Sequence, residues 1–321
     1  MDSYTIRRLT PLECERLMGY PDNYTNLGDW VDSKGKTHKG DSDAPRYKAL
    51  GNSIVTSLPN GAMSYWAFVL RRISAQYDYY PTMGSLFDGI GGFPLIWEQT
   101  NGKGSTLWAS EIEEFPIAVT KKHFPTMEHL GDITKINGAE IPKVDCIIGG
   151  SPCQDLSIAG KRAGLDGERS GLFMEQIRII KEMREDDRTS RRSDELLRPR
   201  YAVWENVPGA FSSNKGEDFQ AVIEEFCKIA GGNITIPKSD RWCKSGCVMG
   251  DGFSLAWTVF DSCQWSVPQR RKRICLVCDF GGHTAPEILF ERKSVSRDSQ
   301  QSRETGESSS ADSEGCLDEY H

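Results

Sequence analysis

Apolar and polar positions change their rhythm twice along this chain. From Gly84 onward short apolar runs recur (GSLFDGIGGF, TLWASEI, VDCIIGG, YAVWENV and RICLVCDF), separated by stretches with helical spacing such as LFMEQIRIIKEMRE. Strands alternating with amphipathic helices predict an α/β fold, a mostly parallel sheet with helices on both faces. Ahead of them, residues 4–20 predict a helix: Thr10-Pro11 is a start signal, Leu12, Leu17 and Met18 share a side, and Gly19 and Pro21 end it. A polar loop is expected over 22–47, then a buried helix over 54–73. From about residue 283 apolar positions thin out, and SVSRDSQQSRETGESSSADSEG cannot offset the entropy of ordering. The expected organisation is an N-terminal block over 1–82, a ligand-binding body over 83–282, and a disordered acidic, Ser-rich tail over 283–321.

Composition narrows the class without naming a function. A chain of 321 residues with 38% hydrophobic and 26% charged positions is large enough to bury a core without disulfides. It contains no run near the roughly 20 apolar residues that span a bilayer. Its first residues lack the basic-then-apolar order of a secretory signal, so a cytoplasmic protein with no membrane partner is expected. Ten cysteines then read as reduced thiols, and Cys243 with Cys247 makes a single CxxxC with no second pair, so no metal is assigned. Residues 281–321 hold nine acidic against four basic residues, a net −5 of the chain's −7, which leaves the body near neutral. Basic clusters such as RRSDELLRPR and QRRKR can then meet phosphates.

Three stretches carry candidate chemistry. Phe87-Asp88-Gly89-Ile90-Gly91-Gly92 reads as a glycine turn from a strand into a helix, where free backbone amides favour polar or anionic groups. Alone, it serves equally as a tight connection. Glu111 lies 22 positions after Gly89, at the end of the next strand, where an acid can accept from ribose hydroxyls. Asp132 follows the strand after that and can receive an adenine amino group; each is also read as an ordinary surface carboxylate. In GGSPCQDLS, Cys153 stands at the carboxyl end of an apolar strand beside Pro152, a place for a thiolate nucleophile or a small buried residue.

GGSPCQDLS resembles the Pro-Cys loop of the cytosine-C5 DNA methyltransferases. FDGIGGF is similar to that family's cofactor loop, WASE and GDI to its ribose and adenine contacts, and WENVPG to its Glu-Asn-Val motif. PQRRKR resembles its Gln-x-Arg-x-Arg segment, RRLTPLECERLMGYP its Leu-Thr-Pro helix, and YKALGNSIV its Gly-Asn-Ser motif; together they cover roughly residues 5–280. The resemblance implies a Rossmann-like S-adenosylmethionine-dependent methyltransferase fold, DNA as partner and S-adenosylmethionine as cofactor. It implies Cys153 as covalent nucleophile, Glu205 on ring nitrogen N3 and the amine, Arg273 on O2, and Arg271 and Gln269 in support. The cofactor would meet Phe87, Asp88, Gly89, Gly91, Gly92, Glu111, Ile112, Asp132, Ile133, Pro152, Asn52 and Ser53.

Two departures stand out. The Leu-Thr-Pro and Gly-Asn-Ser motifs precede the glycine loop, a circularly permuted order that the link ISAQYDYYPTM can close. Only about 40 residues follow Asp279, where permutation should place a target recognition region. That implies a separate specificity subunit, a truncated chain or a damaged copy. The glycine-rich segment over 160–171 is the candidate for a loop closing over a flipped base. The alternatives are a partner-dependent or inactive half-methyltransferase, an RNA cytosine-C5 methyltransferase, and, weakest, a nicotinamide oxidoreductase.

Overall fold

The computed structural model describes residues 7–56, 63–152, 171–190, 193, 196–232, 234–237, 239, 241–265 and 267–290. Helix α1 spans Pro11–Met18. Thr10 caps it in a capping box with Glu13, and Gly19, at φ 77°, ends it. The predicted start at residue 4 is corrected: residues 7–10 are non-helical, and the cap sets the boundary. The stretch expected to be loop holds a small hairpin, β1 (Trp30–Val31) and β2 (Thr37–His38), and then α2 (Ala44–Asn52). Asp32 closes the hairpin turn by accepting the Lys34 and Lys36 amides, both at 2.9 Å. Helix α3 is Tyr65–Ser74, capped by Ser64, so the helix expected over 54–73 starts eleven residues late.

Among the described residues the main sheet has eight strands: β3 (Met83–Leu86), β4 (Thr106–Ser110), β5 (Glu128–His129), β6 (Cys146–Gly149), β7 (Tyr201–Asn206), β8 (Ser245–Gly250), β9 (Phe253–Asp261) and β10 (Lys272–Asp279). Its order is β5-β4-β3-β6-β7-β10-β9-β8. The first five are parallel; β10, read as one more alternating strand, runs antiparallel to β7, as β9 does to β10 and β8 to β9. The connecting helices are α4 (Gly92–Asn101), α5 (Glu114–His123), α6 (Leu172–Thr189), α7 (Glu217–Ile229) and α8 (Ala285–Leu289).

Period-2 alternation divides the core into two layers. Ile147, Trp204 and Leu276 face Phe173, Ile177 and Phe226 of α6 and α7. Their neighbours Ile148, Val203 and Val277 face Trp66, Val69, Trp97 and Ile288 of α3, α4 and α8. The N-terminal block therefore packs into the body's core. Met18, Tyr20 and Leu50 continue it onto Ile90, Val119 and Val267. The boundary expected at 283 also moves, because Ala285, Ile288 and Leu289 are buried and Asp279 accepts from the Thr284 amide and hydroxyl. Residues 291–321 lie outside the described residues. No described helix is long and apolar enough to cross a membrane.

Candidate active site

The parallel strands β3, β4, β6 and β7 end at one edge, and a cleft of about 810 Å³ opens there. Open parallel sheets bind ligands at this edge because their loops and helix starts converge on it. Phe87, Gly89 and Gly91 all have positive φ, at 55°, 57° and 76°. Gly91 and Gly92 are packed from behind: a Cβ would stand 2.6 Å from the Phe124 ring and 2.6 Å from the Tyr20 hydroxyl respectively.

Glu111 ties two loops together. One carboxylate oxygen accepts the Gly89 amide at 2.8 Å; the other accepts the amides of Ile112 and Glu113 at 2.7 and 2.9 Å. One lone pair of the first oxygen is left for a hydroxyl. Asp132 spends Oδ1 on the amide and hydroxyl of Thr134, which hold its carboxyl below the usual range; among the described residues Oδ2 has only Lys135, at 4.0 Å. Ile112 stands exposed at the rim, and Ile133 is buried beneath it. Lys48 closes the rim against Glu113 at 2.8 Å.

Across the cleft, Pro152, Glu205, Arg271 and Arg273 converge. Arg273 Nε donates to Glu205 Oε1 at 2.8 Å. Burial pushes the Glu205 carboxyl up, against the pull of Arg273 and Arg271. Gly150 leaves room for it, since a Cβ there would lie 2.9 Å from Glu205 Oε2. The loop after β6 is held from β7: Trp204 Nε1 donates to the Ser151 hydroxyl, and Asn206 Nδ2 to the Ser151 carbonyl, each at 3.0 Å.

Of the residues expected at the site, Phe87, Gly89, Glu111, Ile112, Asp132, Ile133, Asn52, Pro152, Glu205, Arg271 and Arg273 line this cleft. Asp88, Gly91, Gly92 and Ser53 support it from behind. Asp88 is buried, with Oδ1 accepting from Ser85 Oγ at 2.5 Å and Oδ2 unpartnered among the described residues. Gln269 is not brought to the cleft: it is exposed, in a turn that precedes β10, where strand alternation does not yet apply. Cys153 and residues 160–170 lie outside the described residues. Asn206, Lys48 and Leu172, which stand in the runs WENVPG, YKALGNSIV and LFMEQIRIIKEMRE with no role assigned from sequence, also line the cleft.

Residues 82–232, from the first parallel strand to the end of α7, match the model of the C-5 cytosine-specific DNA methylases. Through this region the chain belongs to that family. The chain is 33% identical over 253 residues to a DNA N-6-adenine-methyltransferase of Escherichia phage P1, an alignment covering 71% of this chain and 32% of that protein. It is 30% identical over 269 residues to the type II methyltransferase M1.ScrFI of Lactococcus lactis subsp. cremoris, covering 83% and 55%. The chain thus spans from just under a third to just over half of these relatives. A solved Spodoptera frugiperda DNMT2 mutant is 20% identical at a TM-score of 0.37, over 62% of this chain and 50% of that one.

The methylase family's cofactor is S-adenosylmethionine, and the cleft fits it. Its volume suits a ligand of that size. The glycine turn borders it, and Glu111 keeps one lone pair and Asp132 its Oδ2 as acceptors for ribose and amine donors.

Proposed function

We propose that this chain methylates carbon 5 of a flipped-out cytosine in DNA, with Cys153 as nucleophile. The observation carrying the reading is the Glu205–Arg273 pair, which opens into the same cleft as the glycine turn and Pro152, the residue before Cys153. Phe87, Gly89, Glu111, Asp132 and Asn52 would hold S-adenosylmethionine, which when bound supplies an electrophilic methyl on a sulfonium sulfur.

The Cys153 thiolate adds to C6 of the ring, forming a C–S bond and moving an electron pair toward N3. Glu205, whose neutral form burial favours, donates its proton or a hydrogen bond at N3 and offsets the developing charge. Arg273 fixes Glu205 and reaches O2. The electron-rich C5 would take the methyl as the methyl–sulfonium bond breaks and the neutral thioether leaves; a base removes the C5 proton, N3 returns any proton it took to Glu205, and the C–S bond breaks to release the thiolate.

The name of the phage P1 relative raises adenine N6 as the other target. An exocyclic amine attacks the methyl directly and needs no thiol, which would leave Cys153 without a task. The test is transfer of labelled methyl to mixed-sequence DNA and to transfer RNA, with nucleosides separated after digestion. Label in 5-methyldeoxycytidine that vanishes in Cys153→Ala supports the reading. Label in N6-methyldeoxyadenosine, or in RNA alone, overturns it. Labelling of DNA that requires a second polypeptide would assign base reading to a separate specificity subunit.

A further inference from the structure

We propose that Arg271 is a positioning residue that couples the cofactor side of the cleft to the base side. This rests on the reading of the cleft as a cofactor site joined to a cytosine pocket.

Arg271, immediately before β10, and Arg273, its second residue, both line the cleft, whereas Arg270 and Lys272 are exposed. Arg273 goes to Glu205, but Arg271 goes elsewhere. Its Nη2 donates to the carbonyls of Ser53 at 2.6 Å and Gly51 at 3.2 Å, on either side of Asn52. The Ser53 hydroxyl is hydrogen-bonded to the Tyr20 hydroxyl, which lies against Gly92, where a Cβ would come within 2.6 Å. A continuous line of contacts therefore runs from the glycine turn through Tyr20 and Ser53 to Arg271. Its last member shares the cleft and an electrostatic field with Arg273 and Glu205.

The side chain is also held at one end only. Its Nε is buried and has no partner among the described residues, so the Nη2 bonds set its position. When residues 51–53 shift to admit a ligand, Arg271 must follow, and the cation beside the Glu205–Arg273 pair moves with it. By linkage, a base in the pocket must then alter affinity on the cofactor side by the same factor.

The test is calorimetric titration of the full chain with S-adenosylhomocysteine, with and without excess mixed-sequence duplex DNA. In the native chain DNA should tighten binding about fivefold, at the low end of typical couplings. Arg271→Met should bind S-adenosylhomocysteine more weakly and bring the DNA effect to about onefold. Arg271→Lys, which keeps a donor and the charge, should restore part of it. A merely loosened fold lowers both affinities and leaves their ratio in place. A native DNA effect that survives in Arg271→Met, or equal native affinities with and without DNA, overturns the coupling while the cofactor reading stands. A native chain that binds no S-adenosylhomocysteine overturns that reading too.

Discussion

Asn206 Nδ2 donates to the carbonyl oxygen of Ser151 at 3.0 Å, from the last residue of β7 to the loop that follows β6. That carbonyl lies two residues before Cys153, and Asn206 Oδ1 in turn accepts the Val207 amide at 2.8 Å. One side chain thereby fixes the approach to the proposed nucleophile and the exit from the Glu205 strand. Asn206→Ala leaves a buried carbonyl unpaired and should cost about 1–3 kcal/mol in a urea denaturation series. Methyl transfer should fall roughly tenfold or more while cofactor binding holds, because misplacing a reacting group acts on the chemical step. Equal losses in both would show that the bond serves only the fold.

Gly150 tests the fit around Glu205. An added Cβ would meet Glu205 Oε2 at 2.9 Å and push the carboxyl away from Arg273. Gly150→Ala is expected to reduce turnover about tenfold at nearly unchanged S-adenosylhomocysteine affinity. Turnover at the native level would mean that the carboxyl has room to move without consequence.

Asp88 sets a pH dependence. Burial is the main cause that raises its carboxyl from an ordinary 3.8 to about 8; Ser85 opposes the shift and Glu111 adds to it. The folded chain therefore holds this proton where the unfolded chain has lost it, so the contribution to stability is complete below about pH 4 and is lost as pH rises toward 8. Asp88→Asn should flatten the decline of the urea midpoint between pH 5 and pH 8.5, and be relatively most stable at the alkaline end. Parallel native and variant curves would place the titration elsewhere.

Gly84 should be the least replaceable residue of the central strand. It pairs with Trp108 on β4, and a Cβ would come within 2.1 Å of that indole, whose Nε1 is tied to the Pro142 carbonyl at 2.9 Å. Gly84→Ala should destabilise by about 3 kcal/mol, measured by chemical denaturation, because the ring has nowhere to retreat.

The sequence by itself determined what is local. A capping residue, a glycine turn, an acid after a strand and the Pro152, Glu205 and Arg273 positions are each written in a few consecutive residues, and the structure brings those site residues to one cleft. The Asp251-Gly252 turn between β8 and β9 is likewise a hairpin signal contained in two residues. Tertiary structure decided the rest. Whether β10 ran parallel or antiparallel depended on which neighbour it met, since the same apolar run satisfies either pairing. Gln269 and Arg271 both precede β10 and share a parity in sequence, yet only Arg271 turns inward, because the Gly51 and Ser53 carbonyls of the N-terminal block receive its guanidinium. Arg271 reaches the Ser53 carbonyl across 218 positions of chain, and Asp88 loses its charge only where the packed N-terminal block excludes water from the glycine turn. Local propensity fixes which conformations a segment can take, whereas the partners of a buried charge or a strand edge exist only once distant segments have packed.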